Sequence, residues 1–208
     1  MVHDVQAIRE DLAFMRALAQ EGRRAPVLIG PGLLISGVVY GLTSLLAWAI
    51  CVRLVALPGW WEGAVWWAVT VVYVPAMWAY RRAYSCRKPG ATALTNRAIA
   101  SAWRGIGYAF MAVLVASVVI AYRFHSTMAF IMIPTLIVAV YGAAWLVAGA
   151  MSGLSWLNYV AAACFVIAVL LAVTAGLAMT YFVFAAAMFG LLALPGWLLM
   201  RSEPSEVV

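Results

Sequence analysis

The stretch WLNYVAAACFVIAVLLAVTAGLAMTYFVFAAAMFGLLALPGWLLM, residues 156–200, decides the fold because it contains no Asp, Glu, Lys, Arg or His. A helix needs about 20 apolar residues to cross the hydrocarbon core of a bilayer. The stretch is therefore long enough for two membrane spans. Glycine and small polar residues around Gly176 to Thr180 predict where the first of them ends and the second begins.

Comparable apolar blocks fill most of the chain: of its 208 residues, 67% are hydrophobic and 10% are charged, and the mean hydropathy is +1.02. This composition excludes an ordinary soluble domain. We predict an all-α integral membrane protein, a bundle of six transmembrane helices within residues 26–200. The predicted spans lie at about 27–52, 63–80, 105–122, 128–150, 156–175 and 181–200. A cytosolic amphipathic helix over residues 1–25 precedes them, and a cytosolic tail over residues 201–208 follows.

The positions of Lys and Arg between the spans predict the orientation, because cytoplasmic connections are rich in these residues. Basic residues cluster before the first span and between the second and third spans: Arg9, Arg16, Arg23, Arg24, then Arg81, Arg82, Arg87, Lys88, Arg97 and Arg104. The alternate connections hold only Arg53 and Arg123. Both termini are thus expected in the cytoplasm, which agrees with Arg201. The Arg-rich, Lys-poor composition favours a bacterium, and so a multi-pass protein of its cytoplasmic (inner) membrane.

The basic connection from Arg81 to Arg104 has two interpretations. Its charges, which include Arg82, Arg87, Lys88 and Arg97, are sufficient to set the orientation and need no further role. Alternatively they bind anionic lipid headgroups or an acidic partner, since each charge near a membrane surface contributes about 1 kcal/mol.

Catalytic chemistry has no candidate in the sequence. No Asp, Glu, His, Lys or Arg lies in the interior of a predicted span, which argues against an ion relay through carboxylates. His3 and His125 fall on opposite sides of the predicted membrane, and Cys51, Cys86 and Cys164 lack metal-ligand spacing. Motifs for hydrolysis or nucleotide binding are also missing. We therefore expect a protein that is not an enzyme and has no metal, no cofactor and no direct nucleic-acid binding.

Polarity inside the spans comes from hydroxyl groups and one amide. Most of these groups, together with the Gly37-x-x-x-Gly41 and Gly149-x-x-x-Gly153 pairs, are typical of helix packing in membranes. The alternative is a path for a small solute. Its predicted residues are Tyr73, Tyr141 and Asn158, with kinks expected at Pro75 and Pro134.

Two further repetitions appear in the sequence. Val39-Tyr40-Gly41 in the first span resembles Val140-Tyr141-Gly142 in the fourth, which is either chance matching or a trace of an inverted repeat. Pro58-Gly59 and Pro195-Gly196 each precede a tryptophan. Because Pro and Gly break helices and Trp favours the headgroup level, both pairs predict interfacial turns.

The N-terminal segment shows the clearest periodicity outside the spans. Val5, Ile8, Leu12, Met15 and Ala19 recur at spacings of three and four and form a narrow apolar stripe on a helix. In a heptad frame with Val5 and Leu12 at position a, the flanking charges are basic at e and acidic at g: Arg9, Arg16, Asp4 and Asp11. This pattern favours contact with another helix over contact with lipid, because a lipid-binding polar face is mostly basic.

The sequence therefore favours a non-enzymatic accessory or regulatory membrane protein. Its N-terminal helix is predicted to contact a cytosolic protein, the chain's own inner loops or a second copy in a homodimer. A small transporter or channel for a neutral or amphipathic solute is the alternative. In both cases the bilayer itself is the surrounding partner.

Overall fold

The computed structural model describes residues 27–58, 60–83 and 93–202 of the chain. Within these residues every regular element is a helix and no strand occurs. The same residues contain six helical segments long and apolar enough to cross a membrane. The predicted all-helical, multi-span fold is thus confirmed at this level. The predicted amphipathic helix at residues 1–25 lies outside the described residues.

The helices follow the apolar blocks. The first three spans are α1 (Gly30–Cys51), α2 (Trp61–Ala83) and α3 (Leu94–Phe124). The fourth combines the short α4 (Met128–Ile131) with α5 (Ile133–Ser152), and the fifth is α6 (Trp156–Val173). The sixth span, Met179–Arg201, consists of α7 (Met179–Met188), a π-helical turn (Phe189–Ala193) and α8 (Leu194–Arg201). Between the fifth and sixth spans the chain turns at residues 174–178, in the region that the sequence predicts.

The helices pack in the order α2, α1, sixth span, α6, α5, α3. In the most apolar window of each span, the buried share is 56% for the sixth span and 39% for α1, but 11% for α2 and 6% for α3. The sixth span and α1 are therefore central, whereas α2 and α3 flank the bundle. We call the side on which α1 begins and α8 ends the terminal side.

Glycines set the close approach of α1 to the sixth span. A Cβ atom on Gly37 would lie 2.4 Å from the backbone nitrogen of Ala193 and 2.7 Å from the carbonyl oxygen of Met188. A Cβ on Gly30 would lie 2.8 Å from the carbonyl oxygen of Gly196. Any larger residue would force the backbones apart. The predicted packing use of Gly37 is confirmed.

The Pro195-Gly196 pair lies inside the sixth span, so the predicted interfacial turn there is wrong. Both residues are buried, and Gly196 faces the backbone of α1. Proline has no N–H for the carbonyl four residues earlier and crowds the preceding turn. The π-helical turn at Phe189–Ala193 directly precedes this point, and such turns let a helix continue past a proline within a membrane.

Two other boundaries differ from the predicted ones. Helix α3 begins at Leu94 rather than near Gly105, because its first turns are amphipathic: Ile99 is fully buried while Arg97 is exposed. Pro134 lies in the first turn of α5, after a break at Met132, so the expected kink takes the form of a helix restart.

Candidate functional site

Hydroxyl groups from three spans meet at mid-membrane depth. We call Ser36 and Tyr40 of α1, Thr70 and Tyr73 of α2, and Tyr141 of α5 the midplane cluster. Each tyrosine lies near the middle of its own helix, which places the phenol groups far from both membrane surfaces.

The contacts between α1 and α2 in this cluster are polar. The hydroxyls of Ser36 and Tyr73 share a hydrogen bond, and Ser36 also donates to the carbonyl oxygen of Gly32 at 2.6 Å. Tyr40 is hydrogen-bonded to the side chain of Thr70. The rings of Tyr40 and Tyr73 meet edge to face with centroids 5.0 Å apart. These bonds attach α2 to the bundle, since its packing is mainly against α1.

Tyr141 extends the cluster across the bundle. It lies within electrostatic range of the Tyr40 and Tyr73 hydroxyls and of the Cys164 thiol. Its ring contacts Trp103 of α3, with centroids 5.5 Å apart. Trp103 in turn meets Trp145 edge to face at 5.3 Å. Aromatic side chains therefore connect the flanking helix α3 to the centre of the molecule.

Two of the three residues predicted for a solute path are thus brought together, and the third is not. Tyr73 and Tyr141 belong to the midplane cluster. Asn158 lies in the first turn of α6, is exposed, and places its amide oxygen against Gly149, where a Cβ would come within 2.5 Å of it. Its position is that of a packing contact near the terminal side.

Tyr40 is a cluster member that the sequence analysis did not select for the path, although the repeated Val-Tyr-Gly segments contained the signal. The two segments have similar surroundings in the structure, because Tyr40 and Tyr141 both join the cluster. The glycine after each tyrosine faces a phenyl ring: a Cβ on Gly41 would lie 2.7 Å from Phe189 and one on Gly142 would lie 2.9 Å from Phe165.

Most other hydroxyls in the spans have local partners, as expected for packing. Thr43 in α1 and Thr174 directly after α6 donate to carbonyl oxygens four residues earlier in the chain, at 2.7 and 3.1 Å. Ser44 of α1 donates to the carbonyl oxygen of Tyr181 in the sixth span at 2.7 Å. By contrast, Oγ1 of Thr135 and Nε1 of Trp103 are buried without a hydrogen-bond partner.

A second set of polar contacts joins three segments on the terminal side. Val27 is buried, and the backbone N–H of Leu28 donates to Oδ1 of Asn96 at 3.2 Å. The neighbouring Thr95 donates to the carbonyl oxygen of Met151 at 3.5 Å. We call this set the terminal junction. The sequence analysis missed Thr95 and Asn96, because it placed residues before Gly105 in a loop.

The predicted lipid-binding arginines are exposed where the structure describes their side chains. Arg97 and Arg104 are two turns apart on one face of α3, and the guanidinium of Arg82 lies 5.3 Å from the centre of the Trp78 ring. Arg81 lies in the last turn of α2. Arg87 and Lys88 lie outside the described residues. The same holds for all predicted contacts of the N-terminal helix: Asp4, Val5, Ile8, Arg9, Asp11, Leu12, Met15 and Arg16.

The surface of the described part of the bundle includes a cleft of about 240 Å³ between α3 and α5, lined by apolar side chains that include Ile106 and Val140. A second cleft, of about 390 Å³, lies on the terminal side; its lining residues are Leu154, Trp156, Leu198, Leu199 and Ser202. We call the second one the terminal cleft.

The described residues contain no group of three or more His, Cys, Asp or Glu side chains that could hold a metal ion. No protein-family model, curated protein or solved structure matches the chain. The class of protein is therefore assigned from the fold. The six long apolar helices and the hydroxyl contacts at mid-depth are typical of a multi-pass helical membrane protein.

Proposed function

We propose that the protein is a non-enzymatic accessory or regulatory membrane protein whose N-terminal helix contacts a cytosolic protein or a second copy of the chain. The observation that carries this proposal is the terminal junction. The amphipathic stripe from Val5 to Ala19 ends only a few residues before Val27 and Leu28, which are held against the bundle by burial and by Asn96.

The terminal junction connects the N-terminal segment mechanically to the transmembrane bundle. Leu28 bonds to the first turn of α3, and the adjacent Thr95 bonds to the end of α5. A shift of α3 relative to α5 therefore changes the position of the chain that leaves the bundle toward the N-terminal helix. Because α3 packs mainly on α5 and has the smallest buried share of the six spans, it is weakly restrained against such a shift.

The orientation belongs to the same proposal. Arg82, Arg97 and Arg201 are exposed on the terminal side, whereas Arg53 and Arg123 lie at the opposite ends of the helices. Because cytoplasmic connections are rich in Lys and Arg, this distribution supports a terminal side that faces the cytoplasm. In this orientation the N-terminal helix faces cytosolic proteins.

Deletion of residues 1–22 tests the proposal, because it removes the stripe and leaves Val27 and Leu28 in place. The expected result is loss of dimer mass in detergent, or loss of a protein captured from cytosol by the full chain. Leu12→Cys, in a background with Cys51, Cys86 and Cys164 replaced, reports the dimer directly as a disulfide-linked pair when an added oxidant is applied to isolated membranes. In a homodimer, the double variant Arg9→Glu with Arg16→Glu should weaken the contact. Addition of Asp4→Arg and Asp11→Arg should restore it, because both copies then carry the reversed charges. An unchanged mass and unchanged capture after the deletion contradict the proposal.

A second function, a transporter or channel for a neutral or amphipathic solute, is favoured by the midplane cluster. Tyr40, Tyr73 and Tyr141 put three hydroxyls near mid-depth on the three helices α1, α2 and α5. Hydroxyls and aromatic rings without a charge suit a solute that is itself uncharged or amphipathic.

Solute flux into proteoliposomes tests this second function. Tyr73→Phe and Tyr141→Phe remove one hydroxyl each and should lower the flux of a transported solute severalfold. Tyr159→Phe is the matched control, because that side chain is 77% exposed and lies outside the cluster. Equal flux through all three variants, or no flux above protein-free vesicles for a panel of neutral and amphipathic solutes, contradicts a transport role.

A further inference from the structure

We propose that the end of the sixth span on the terminal side is a binding site for an anionic phospholipid. In this site Arg201 holds the phosphate of the headgroup, and the terminal cleft holds the upper part of an acyl chain. The proposed site uses none of the arginines of the connection between α2 and α3.

The shape and lining of the terminal cleft match a lipid chain. Its volume is about 390 Å³, and four of its five lining residues are apolar or aromatic: Leu154, Trp156, Leu198 and Leu199. The fifth, Ser202, donates its hydroxyl to the carbonyl oxygen of Leu199 at 2.7 Å. The hydroxyl proton of Ser202 is therefore engaged in this bond and is not available to a ligand. The rest of the cleft wall is apolar and suits an apolar occupant.

The position of the cleft also favours lipid. Trp156 and Trp197 stand at the terminal-side ends of α6 and α8, the level at which tryptophans mark the boundary between headgroups and acyl chains. A cleft at this level, on the outer surface of a membrane bundle, opens to the lipids of the adjacent leaflet.

Arg201 supplies the charge. It lies in the last turn of α8, and its guanidinium carbon is 3.9 Å above the centre of the Trp197 ring, one turn earlier. This cation–π contact holds the guanidinium beside the ring, and its N–H donors suit the oxygens of a phosphate. Leu198 and Ser202 of the cleft lie on the adjoining face of the same helix, so charge and cleft are neighbours.

An anionic headgroup is preferred over a zwitterionic one for electrostatic reasons. Both carry a phosphate, but the choline or ethanolamine cation of a zwitterionic lipid offsets the attraction to Arg201. A basic residue near a membrane surface gains about 1 kcal/mol from anionic lipid. The Arg201 site therefore discriminates by headgroup charge, while the cleft contributes affinity for any acyl chain.

Native mass spectrometry of the full chain in detergent tests the site, with phosphatidylglycerol and phosphatidylcholine of identical acyl chains as probes. The wild type should retain phosphatidylglycerol more strongly. Arg201→Ala should weaken phosphatidylglycerol binding about fivefold, the effect of a single surface charge, and bring it near the phosphatidylcholine value. The matched control is Arg123→Ala, which removes an exposed arginine at the opposite end of the bundle, beside the Phe124 ring.

The cleft has its own test. Leu198→Trp fills it and should weaken the binding of both lipids, whereas soluble glycerol phosphate at the same concentration should not displace phosphatidylglycerol. Glu203→Gln with Glu206→Gln should leave lipid binding unchanged or raise it. Equal losses in Arg201→Ala and Arg123→Ala, full displacement by glycerol phosphate, or weaker binding after the glutamates are removed would overturn the proposal.

Discussion

The indole N–H of Trp145 donates a 3.1 Å hydrogen bond to the carbonyl oxygen of Leu191, the residue four positions before Pro195. In a regular helix this carbonyl accepts from the residue four positions later, and proline has no N–H to offer. Trp145 is fully buried and Leu191 belongs to the π-helical turn. A side chain of α5 thus supplies the donor that the sequence of the sixth span lacks.

Trp145→Phe should destabilise the bundle for two reasons. It removes the indole donor from this carbonyl, and it puts a smaller ring in a fully buried position. Loss of a buried partner costs about 1–3 kcal/mol. The matched control is Trp103→Phe, since the Trp103 indole nitrogen has no hydrogen-bond partner to lose. Reversible unfolding in mixed micelles should show a clearly larger loss for Trp145→Phe, and equal losses would contradict the role given to its hydrogen bond.

Gly37→Ala should separate α1 from the sixth span. The new methyl group would lie 2.4 Å from the backbone nitrogen of Ala193, and backbone cannot move aside as a flexible side chain can. Overpacking of this kind costs about 1–3 kcal/mol. Gly190→Ala is the control within the same pair of helices, because a Cβ there meets nothing within 4 Å. Thermal unfolding in detergent should show a lower transition for Gly37→Ala alone.

Ser44→Ala and Thr135→Val should differ in their effect on stability although both remove a hydroxyl from a span. Ser44 donates to Tyr181 across helices at 2.7 Å, whereas the Thr135 hydroxyl is buried without a partner. Hydrogen bonds between membrane helices contribute about 0.6 kcal/mol on average. We expect a loss of this size for Ser44→Ala, and no loss or a gain for Thr135→Val, in the free energy of unfolding.

Asn96→Ala should release the chain at Leu28, because the backbone N–H there loses its acceptor. Amide hydrogen exchange at Leu28 should accelerate by about tenfold or more, the rate effect of ~1.4 kcal/mol. Arg97→Ala changes the next, exposed residue and should leave the exchange unchanged. If both variants exchange alike, Asn96 does not hold the N-terminal segment to α3.

The proposed orientation predicts that residues 90 and 125 lie on opposite sides of the membrane. Gly90→Cys and His125→Cys, each in a background with Cys51, Cys86 and Cys164 replaced, should react differently with an impermeant maleimide in intact cells. His125→Cys should be labelled from outside, and Gly90→Cys only after lysis. Labelling of both from the same side would reject the orientation and the cytosolic position of the N-terminal helix with it.

The spans were predictable because an uninterrupted apolar block of about 20 residues has few stable alternatives to a transmembrane helix. The start of α3 was not predictable, because Arg97 and Arg104 suggested a loop. In the structure both arginines are exposed on a helix that buries Ile99 on another face. Pro195 was misread for a related reason. The carbonyl of Leu191, which Pro195 leaves without a donor, accepts from Trp145 in another span, and no local pattern contains that residue.

The candidate sites show the same limit. Tyr73 and Tyr141 were selectable as polar groups in apolar spans, but their meeting with Tyr40 depends on the packing order of the helices, which periodicity does not specify. Asn158 passed the same polarity criterion and lies elsewhere. Thr95 and Asn96 gave no signal, because small polar residues in a basic connection are ordinary until Leu28 and Met151 are placed beside them.

The contact between Gly30 and Gly196 brings the first and last helices to one point on the terminal side. Fluorescent proteins fused at the two ends of the chain would thus be attached to neighbouring anchor points, and energy transfer between them would start high. Movement of the flanking helix α2 leaves those anchor points in place, whereas a shift of α3 moves the chain at Leu28 through Asn96. A change in transfer would therefore report either rearrangement of the fused segments or movement at the terminal junction, which makes the pair a sensor for what the N-terminal helix binds.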